Sequence, residues 1–191
     1  MNRNRKNVIF DIDNTLVHSI SDDTPIDRDV YNNLSYVKKN GMTVFFRPGL
    51  GEFLDVMFSK YNVSVWTAAN KAYAEFICKM IMKNRKVDFV YSSEHCYLSN
   101  DNRGGEYIES FGFKPVKDIR YVYETQKGYT NRNTVLVDDL YETYIPQKDN
   151  VIYCEYFNIF LPSPHKDKFL TKLEKKLDYH FTHTLPKHPS S

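Results

Sequence analysis

The stretch Val8-Ile9-Phe10-Asp11-Ile12-Asp13-Asn14-Thr15-Leu16-Val17-His18-Ser19 constrains this chain more than any other. Its apolar, β-branched opening reads as a buried strand that stops abruptly at Asp11, so two carboxylates and a hydroxyl emerge together at the strand's end. Ligand sites on open parallel sheets lie at that carboxyl edge. Period-two alternation lets Asp11 and Asp13 face one side, and Thr15 can turn back to hydrogen-bond one of them. Taken alone, Asp13-Asn14 would read better as an Asx turn that simply ends a strand. The rest of the chain decides between the two.

Asp27 to Asn40 carries mixed helical signals that end at Gly41, and Met42 to Phe46 reads as a short strand. Arg47-Pro48-Gly49 breaks it, after which Leu50, Phe53, Leu54, Met57 and Phe58 recur at helical spacing through Lys60. Val63, Val65 and Trp66 form a second compact strand ending at Thr67-Ala68-Ala69-Asn70, followed by a helix over Lys71 to Lys83. Val87 to Tyr91 gives a third. Ser92 to Gly112 is polar and turn-rich, a loop or hairpin projecting from the core. A helical patch over Lys117 to Thr125 precedes the buried strand Thr134 to Val137, which again ends in acid at Asp138-Asp139. Val151 to Tyr153 is the last strand, and Phe169, Leu170, Leu173 and Leu177 mark a closing amphipathic helix. Strands alternating with helices imply an α/β fold: a mostly parallel sheet flanked by helices, with the polar segment as a small loop or hairpin insertion.

A chain of 191 residues with 41% hydrophobic residues is long enough for one sizeable core and short for two, so a single domain over 1–191 is expected. Its basic arm, residues 1–6 with Arg3, Arg5 and Lys6, and its tail, 184–191, are expected to be flexible. The net charge of +2 carries no strong nucleic-acid signal. No apolar run approaches membrane-spanning length and no secretion signal is present, which points to an intracellular protein of cytoplasm or nucleus with no membrane partner. Cys78, Cys96 and Cys154 are widely spaced and odd in number, against both a disulfide framework and zinc. Six positions beyond them stand Asn84, Asn102 and Phe160, where a cysteine-phosphatase loop would need arginine.

Three strands thus end in polar groups at one sheet edge: Asp11 with Asp13, Thr67, and Asp138 with Asp139. Several carboxylates brought together repel one another unless a cation joins them, and hard oxygen ligands suit a hydrated magnesium ion.

On these residues the chain resembles the haloacid dehalogenase superfamily. Within it, the likeness is to the FCP/SCP-type (NLI-interacting-factor-like) phosphatases that act on the C-terminal domain of RNA polymerase II. Phe10 to Ser19 is similar to the signature Asp-x-Asp-x-Thr-Leu-Val-His-Ser, Arg47-Pro48-Gly49-Leu50 to the family's Arg-Pro segment, Trp66-Thr67-Ala68-Ala69 to its second motif and Val137-Asp138-Asp139 to its fourth. The third motif is a lysine, matched best by Lys117, with Lys114 as the fallback. The resemblance implies Asp11 as nucleophile forming an aspartyl-phosphate, and Asp13 as general acid and then base. It implies Mg2+ held by Asp11, the backbone carbonyl of Asp13 and Asp139. Thr67 and Lys117 would bind phosphate oxygens, Asp138 would orient Lys117 or a metal-bound water, and Thr15 and His18 would support the loop. The implied substrate is a phosphorylated protein or peptide, most naturally at phosphoserine or phosphothreonine. Two alternatives stand beside it: a small-molecule or nucleotide phosphatase of the same superfamily, and a non-catalytic peptide-binding relative.

The small phosphatases of this family hold a proline beside the phosphoserine in an apolar pocket. Here Asn70 stands where one of its apolar residues is matched, and the segment from Ile20 to Val44 reads as short of the alternating strands that would supply the others. Weak discrimination for a proline beside the phosphoserine is therefore expected.

Overall fold

In the computed structural model, which describes residues 5–99, 114–140 and 145–185, strand β1 (Asn7–Phe10) is buried along its whole length. The chain then turns through residues 11–16 into β2 (Val17–Ser21), a short helix α1 (Arg28–Asn33), and the strands β3 (Tyr36–Lys39) and β4 (Met42–Phe46). Helix α2 (Leu50–Lys60) leads into β5 (Asn62–Trp66), and α3 (Lys71–Met82) into the two-residue β6 (Val90–Tyr91). An antiparallel pair, β7 (Tyr97–Ser99) and β8 (Lys114–Val116), precedes α4 (Ile119–Thr125). Strands β9 (Thr134–Asp138) and β10 (Val151–Tyr153) and the closing helix α5 (Phe169–His183) complete the order.

The main sheet runs β10-β9-β1-β5-β6 with every neighbouring pair parallel, as the alternation of strands and helices predicts. Its strands read as unbroken apolar runs because both faces are covered. Val8 and Phe10 of β1 join Leu54, Met57, Ile77, Leu173 and Leu177 from α2, α3 and α5. Ile9 points the other way, into a cluster with Trp66, Leu136 and the α4 residues Ile119 and Val122. In register, Phe10 stands opposite Val137 on one side and Val65 on the other, so the next residues of three adjacent strands share one edge.

The small sheet overturns one expectation. Helix α1 covers only six residues of the segment 27–40, and β3 and β4 pair with β2 in the order β2-β4-β3, all antiparallel. Asn40 and Gly41, with φ of 57° and 76°, are the two central residues of a tight hairpin turn that sets Lys39 opposite Met42. Gly41 thus belongs to a hairpin turn, although in sequence its position suits the end of a helix equally well. Strand β3 is an outer strand whose Lys38 and Lys39 are exposed, so its alternation is hidden behind charge. Two further boundaries move. Lys117 precedes α4, whose N-cap is Asp118, and the third strand shrinks to Val90–Tyr91.

Part of the expected arm and tail belongs to the body. Arg5 Nη1 donates to the Phe58 carbonyl at 3.0 Å, the Lys6 carbonyl accepts from Asn62 N, and Leu185 is buried. Residues 1–4 and 186–191, and 100–112 of the expected insertion, lie outside the described residues.

Candidate active site

The edge formed by β9, β1 and β5 gathers the acids. Asp138 is the last residue of β9 and Asp139 follows it, Asp11 follows β1, and Thr67 follows β5. One carboxylate oxygen each from Asp11, Asp138 and Asp139 lie within 4.8 Å of one another. Lys117, fully buried, reaches between two of them: its Nζ donates to Asp11 Oδ1 at 2.5 Å and to Asp138 Oδ2 at 2.7 Å. Burial alone would lower the lysine's pKa, but the two carboxylates outweigh it and hold the ammonium charged. The acids are pushed the other way. Burial lifts Asp11 well above the ordinary carboxylate range against the pull of Lys117, and it lifts Asp139, with help from Asp138, to about 7.

Asp13 sits apart from this cluster, on the side of α3. Its Oδ1 accepts from the Tyr73 hydroxyl, and Thr67 Oγ1 is 3.4 Å from its Oδ2. Ser19 Oγ lies 2.8 Å from the same phenol oxygen. Burial raises the Asp13 pKa while Tyr73, Lys117 and Thr67 oppose the rise. Between the acids the chain makes a tight loop. Leu16 N and Val17 N both donate to the Ile12 carbonyl, Asn14 takes a left-handed φ of 58°, and Asn14 N donates to the Val17 carbonyl at 2.7 Å. The carbonyl of Asp13 accepts no backbone hydrogen bond among the described residues.

The loop is held from behind by a buried arginine. Arg47 donates to the Thr15 carbonyl (3.1 Å), Cys154 Sγ (2.9 Å) and the Glu155 carbonyl (2.7 Å), and makes a two-pronged pair with Asp167 at 2.9 and 2.7 Å. Its guanidinium stacks 4.5 Å from the Phe169 ring centroid. Phe157 N donates to the Asn14 carbonyl, and Asn14 Oδ1 lies 2.9 Å from His18 Nδ1.

The profile of the NLI interacting factor-like phosphatases matches residues 6–184. The chain belongs to that family. It is 32% identical to the CTD phosphatase-like protein 355R of Invertebrate iridescent virus 3, over 93% of this chain and 97% of that protein. It is 30% identical to the 355R protein of Invertebrate iridescent virus 6, over 92% and 98%. Among solved structures it resembles Fcp1, an essential RNA polymerase II CTD phosphatase, with a TM-score of 0.65 at 19% identity. That match covers 95% of this chain and 64% of the Fcp1 chain, and at such identity it speaks for the fold.

In this NLI interacting factor-like phosphatase the donor set suits a hard divalent cation. Three carboxylates face one lysine, and Asp139 Oδ2 is buried without a hydrogen-bond partner among the described residues, an expensive state without a cation. Asp138 has both oxygens engaged, by Lys117 and by Leu140 N at 2.8 Å, so Asp11 and Asp139 are the side chains left to hold an ion. Thr15 Oγ1, 3.4 Å from Asp139 Oδ1, steadies the second of them.

Asp11, Asp138, Asp139, Lys117 and Thr15 thus come together in one cluster, and Thr67 joins Asp13 beside it. Lys117, the better of the two lysine matches, reaches Asp11 itself. Asn70 is exposed, and its Oδ1 caps α3 by accepting from Tyr73 N at 2.9 Å. Two contributors escape a sequence reading. Tyr73 looks like one more member of the apolar face of α3, and Asp167 looks like loop, with nothing to tie it to an arginine 120 positions away. The thiols of Cys78 and Cys154 are buried and pushed up to about 12, unsuited to nucleophilic work.

Proposed function

We propose that this protein is a magnesium-dependent phosphatase that works through an aspartyl-phosphate on Asp11 and acts on phosphoserine or phosphothreonine in proteins. The observation that carries the reading is the buried contact of Lys117 with both Asp11 and Asp138, beside an Asp139 oxygen that lacks a partner. A buried carboxylate fixed by a lysine is held in one orientation for attack, and that lysine can balance charge as it shifts to the phosphate oxygens. Asp11 Oδ1 is engaged by Lys117, while Oδ2 carries no side-chain hydrogen bond among the described residues and is the oxygen that would bond to phosphorus. As that bond forms, the phosphorus–ester oxygen bond breaks and Asp13 gives the departing alkoxide its proton. Its raised pKa keeps a protonated fraction available.

In the second half, water attacks the phosphorus of the acyl-phosphate, Asp13 takes the proton, and the Asp11 carboxylate is released. Thr67, whose Oγ1 accepts from Ala69 N at 3.0 Å, would bind a phosphate oxygen through its hydroxyl proton. Magnesium, held by Asp11, Asp139 and the Asp13 carbonyl, supplies charge neutralisation of the phosphate when bound. The likeness to CTD phosphatases makes phosphorylated polymerase-tail peptides, met inside the cell, the first substrates to test.

The experiment is Asp11→Asn, assayed for turnover and for acid-stable phosphoryl label on the chain, with magnesium present. We expect both to vanish while the fold survives, because the amide is a far weaker nucleophile. Near-normal turnover in the variant would refute the mechanism.

A further inference from the structure

Among the described residues, the five most exposed large hydrophobic side chains are Tyr153, Tyr156, Phe160, Leu161 and Tyr179, all within one stretch of the chain. Phe160 and Leu161 are neighbours at the tip of the loop before α5, 58% and 51% exposed, followed by exposed Pro162 and Ser163. The same stretch carries Lys166, Lys168, Lys172, Lys175 and Lys176, all exposed and none in an ion pair among the described residues.

The charges on α5 are segregated. At 3.6 residues per turn, Lys172, Lys175, Lys176 and Tyr179 share a face about 100° wide. The helix's acids Glu174 and Asp178 lie on the other flank, where Lys60 of α2 takes both, and Leu170, Leu173 and Leu177 point to the core. A charged helix face by itself is usually only a solvated face. An exposed phenylalanine and leucine side by side, in the same stretch of chain as five exposed lysines that make no ion pair among the described residues (Lys176 Nζ lies 5.0 Å from the Phe169 ring centroid), is a different combination, since adjacent exposed apolar side chains mark an interaction surface.

We propose that this stretch, loop tip and lysine face together, docks on an anionic lipid bilayer. Phe160 and Leu161 insert among the head groups, the lysines face lipid phosphates and carboxylates, and Tyr179 lies at the interface. No helix among the described residues is long and apolar enough to cross a membrane, and this association needs none. It runs against the expectation of no membrane partner, which rested on the lack of a spanning run and of a secretion-signal segment. A nucleic acid or an acidic peptide would use the lysines but leaves the Phe160-Leu161 tip without a purpose. The tip is close to the catalytic loop: the Phe160 ring centroid is 5.9 Å from that of His18, which neighbours Asn14. Docking would therefore hold the site at the lipid surface.

The test is co-sedimentation of the whole chain with vesicles of phosphatidylcholine, with and without about one third phosphatidylserine. The serine-lipid vesicles should bind at least about tenfold more tightly, and raising salt should weaken them. The combined variant Lys172→Gln, Lys175→Gln, Lys176→Gln should lose roughly a hundredfold, at about fivefold per lysine, with melting temperature and turnover in solution unchanged. Phe160→Ser with Leu161→Ser should lose about tenfold or more at constant salt. No binding to the anionic vesicles, or equal binding to neutral ones, would overturn the proposal. So would binding that survives Phe160→Ser with Leu161→Ser and is competed away by polyglutamate, which would identify a polyanion-binding face.

Discussion

Replacing Asp139 with asparagine should make the metal-free protein more stable at neutral and alkaline pH while removing its response to magnesium. The reasoning starts from burial: Asp139 is 8% exposed, beside Asp138, with one oxygen unpartnered. Its pKa rises from 3.8 to about 7, which corresponds to a ceiling of roughly 4 kcal/mol. The sign follows from proton binding. The folded state holds the proton more tightly than the unfolded one, so the contribution is fully present below about pH 4 and is lost as pH rises through about 7. Above that, the wild type without metal carries the whole penalty and the amide carries none. For a chain of 191 residues, 1 kcal/mol moves the melting temperature by about 2 to 4 °C. Asp139→Asn should therefore melt higher than wild type by up to about 8 to 16 °C at pH 8 in chelator, and by little at pH 4. The assay is thermal unfolding at both pH values, with chelator and then with magnesium, which should raise the wild type and leave the variant nearly unmoved. A variant that melts no higher than wild type at pH 8, or that gains as much from magnesium, would refute the reasoning.

Arg47→Met should cost about 3 to 5 kcal/mol, because Asp167 and two carbonyls lose a buried cationic partner; an unfolding curve within about 1 kcal/mol of wild type would count against that role. Tyr73→Phe removes a donor that favours charged Asp13, so the alkaline limb of kcat/KM should move to higher pH, and an unmoved limb would detach Tyr73 from the chemistry. Asn70→Leu should lose about 1 kcal/mol through the missing helix cap; a gain in preference for proline beside the phosphoserine would restore Asn70 to a pocket. Mild thiol alkylation should leave turnover intact, since burial raises Cys78, Cys96 and Cys154; rapid loss prevented by substrate would instead mark a cysteine mechanism.

The parallel sheet was legible because burial on both faces writes itself as unbroken apolar runs, and the residues that stop those runs are the acids of the cluster. What stayed hidden is what depends on partners remote in sequence. The strand at Tyr36–Lys39 carries its alternation under lysine, and its hairpin turn at Asn40-Gly41 resembles a helix terminus. Tyr73 lies at helical spacing with apolar neighbours, so periodicity assigns it to packing although its hydroxyl reaches Asp13. Lys117 could be named only through the family motif, since a lone lysine before a helix has no chemical signature until Asp11 and Asp138 close on it.

The guanidinium of Arg47 joins the loop before β2 to the segment that leads into α5, alongside the backbone bond from Phe157 N to the Asn14 carbonyl. Opening of the catalytic loop and detachment of the C-terminal helix are thereby parts of one cooperative unit. Amide hydrogens of residues 12–17 should exchange at the pace of those in residues 155–169. A chain cut before Asp167 would keep every acid of the site and lose the wall that holds them in place, and damage to that distant segment would register as a defect in chemistry.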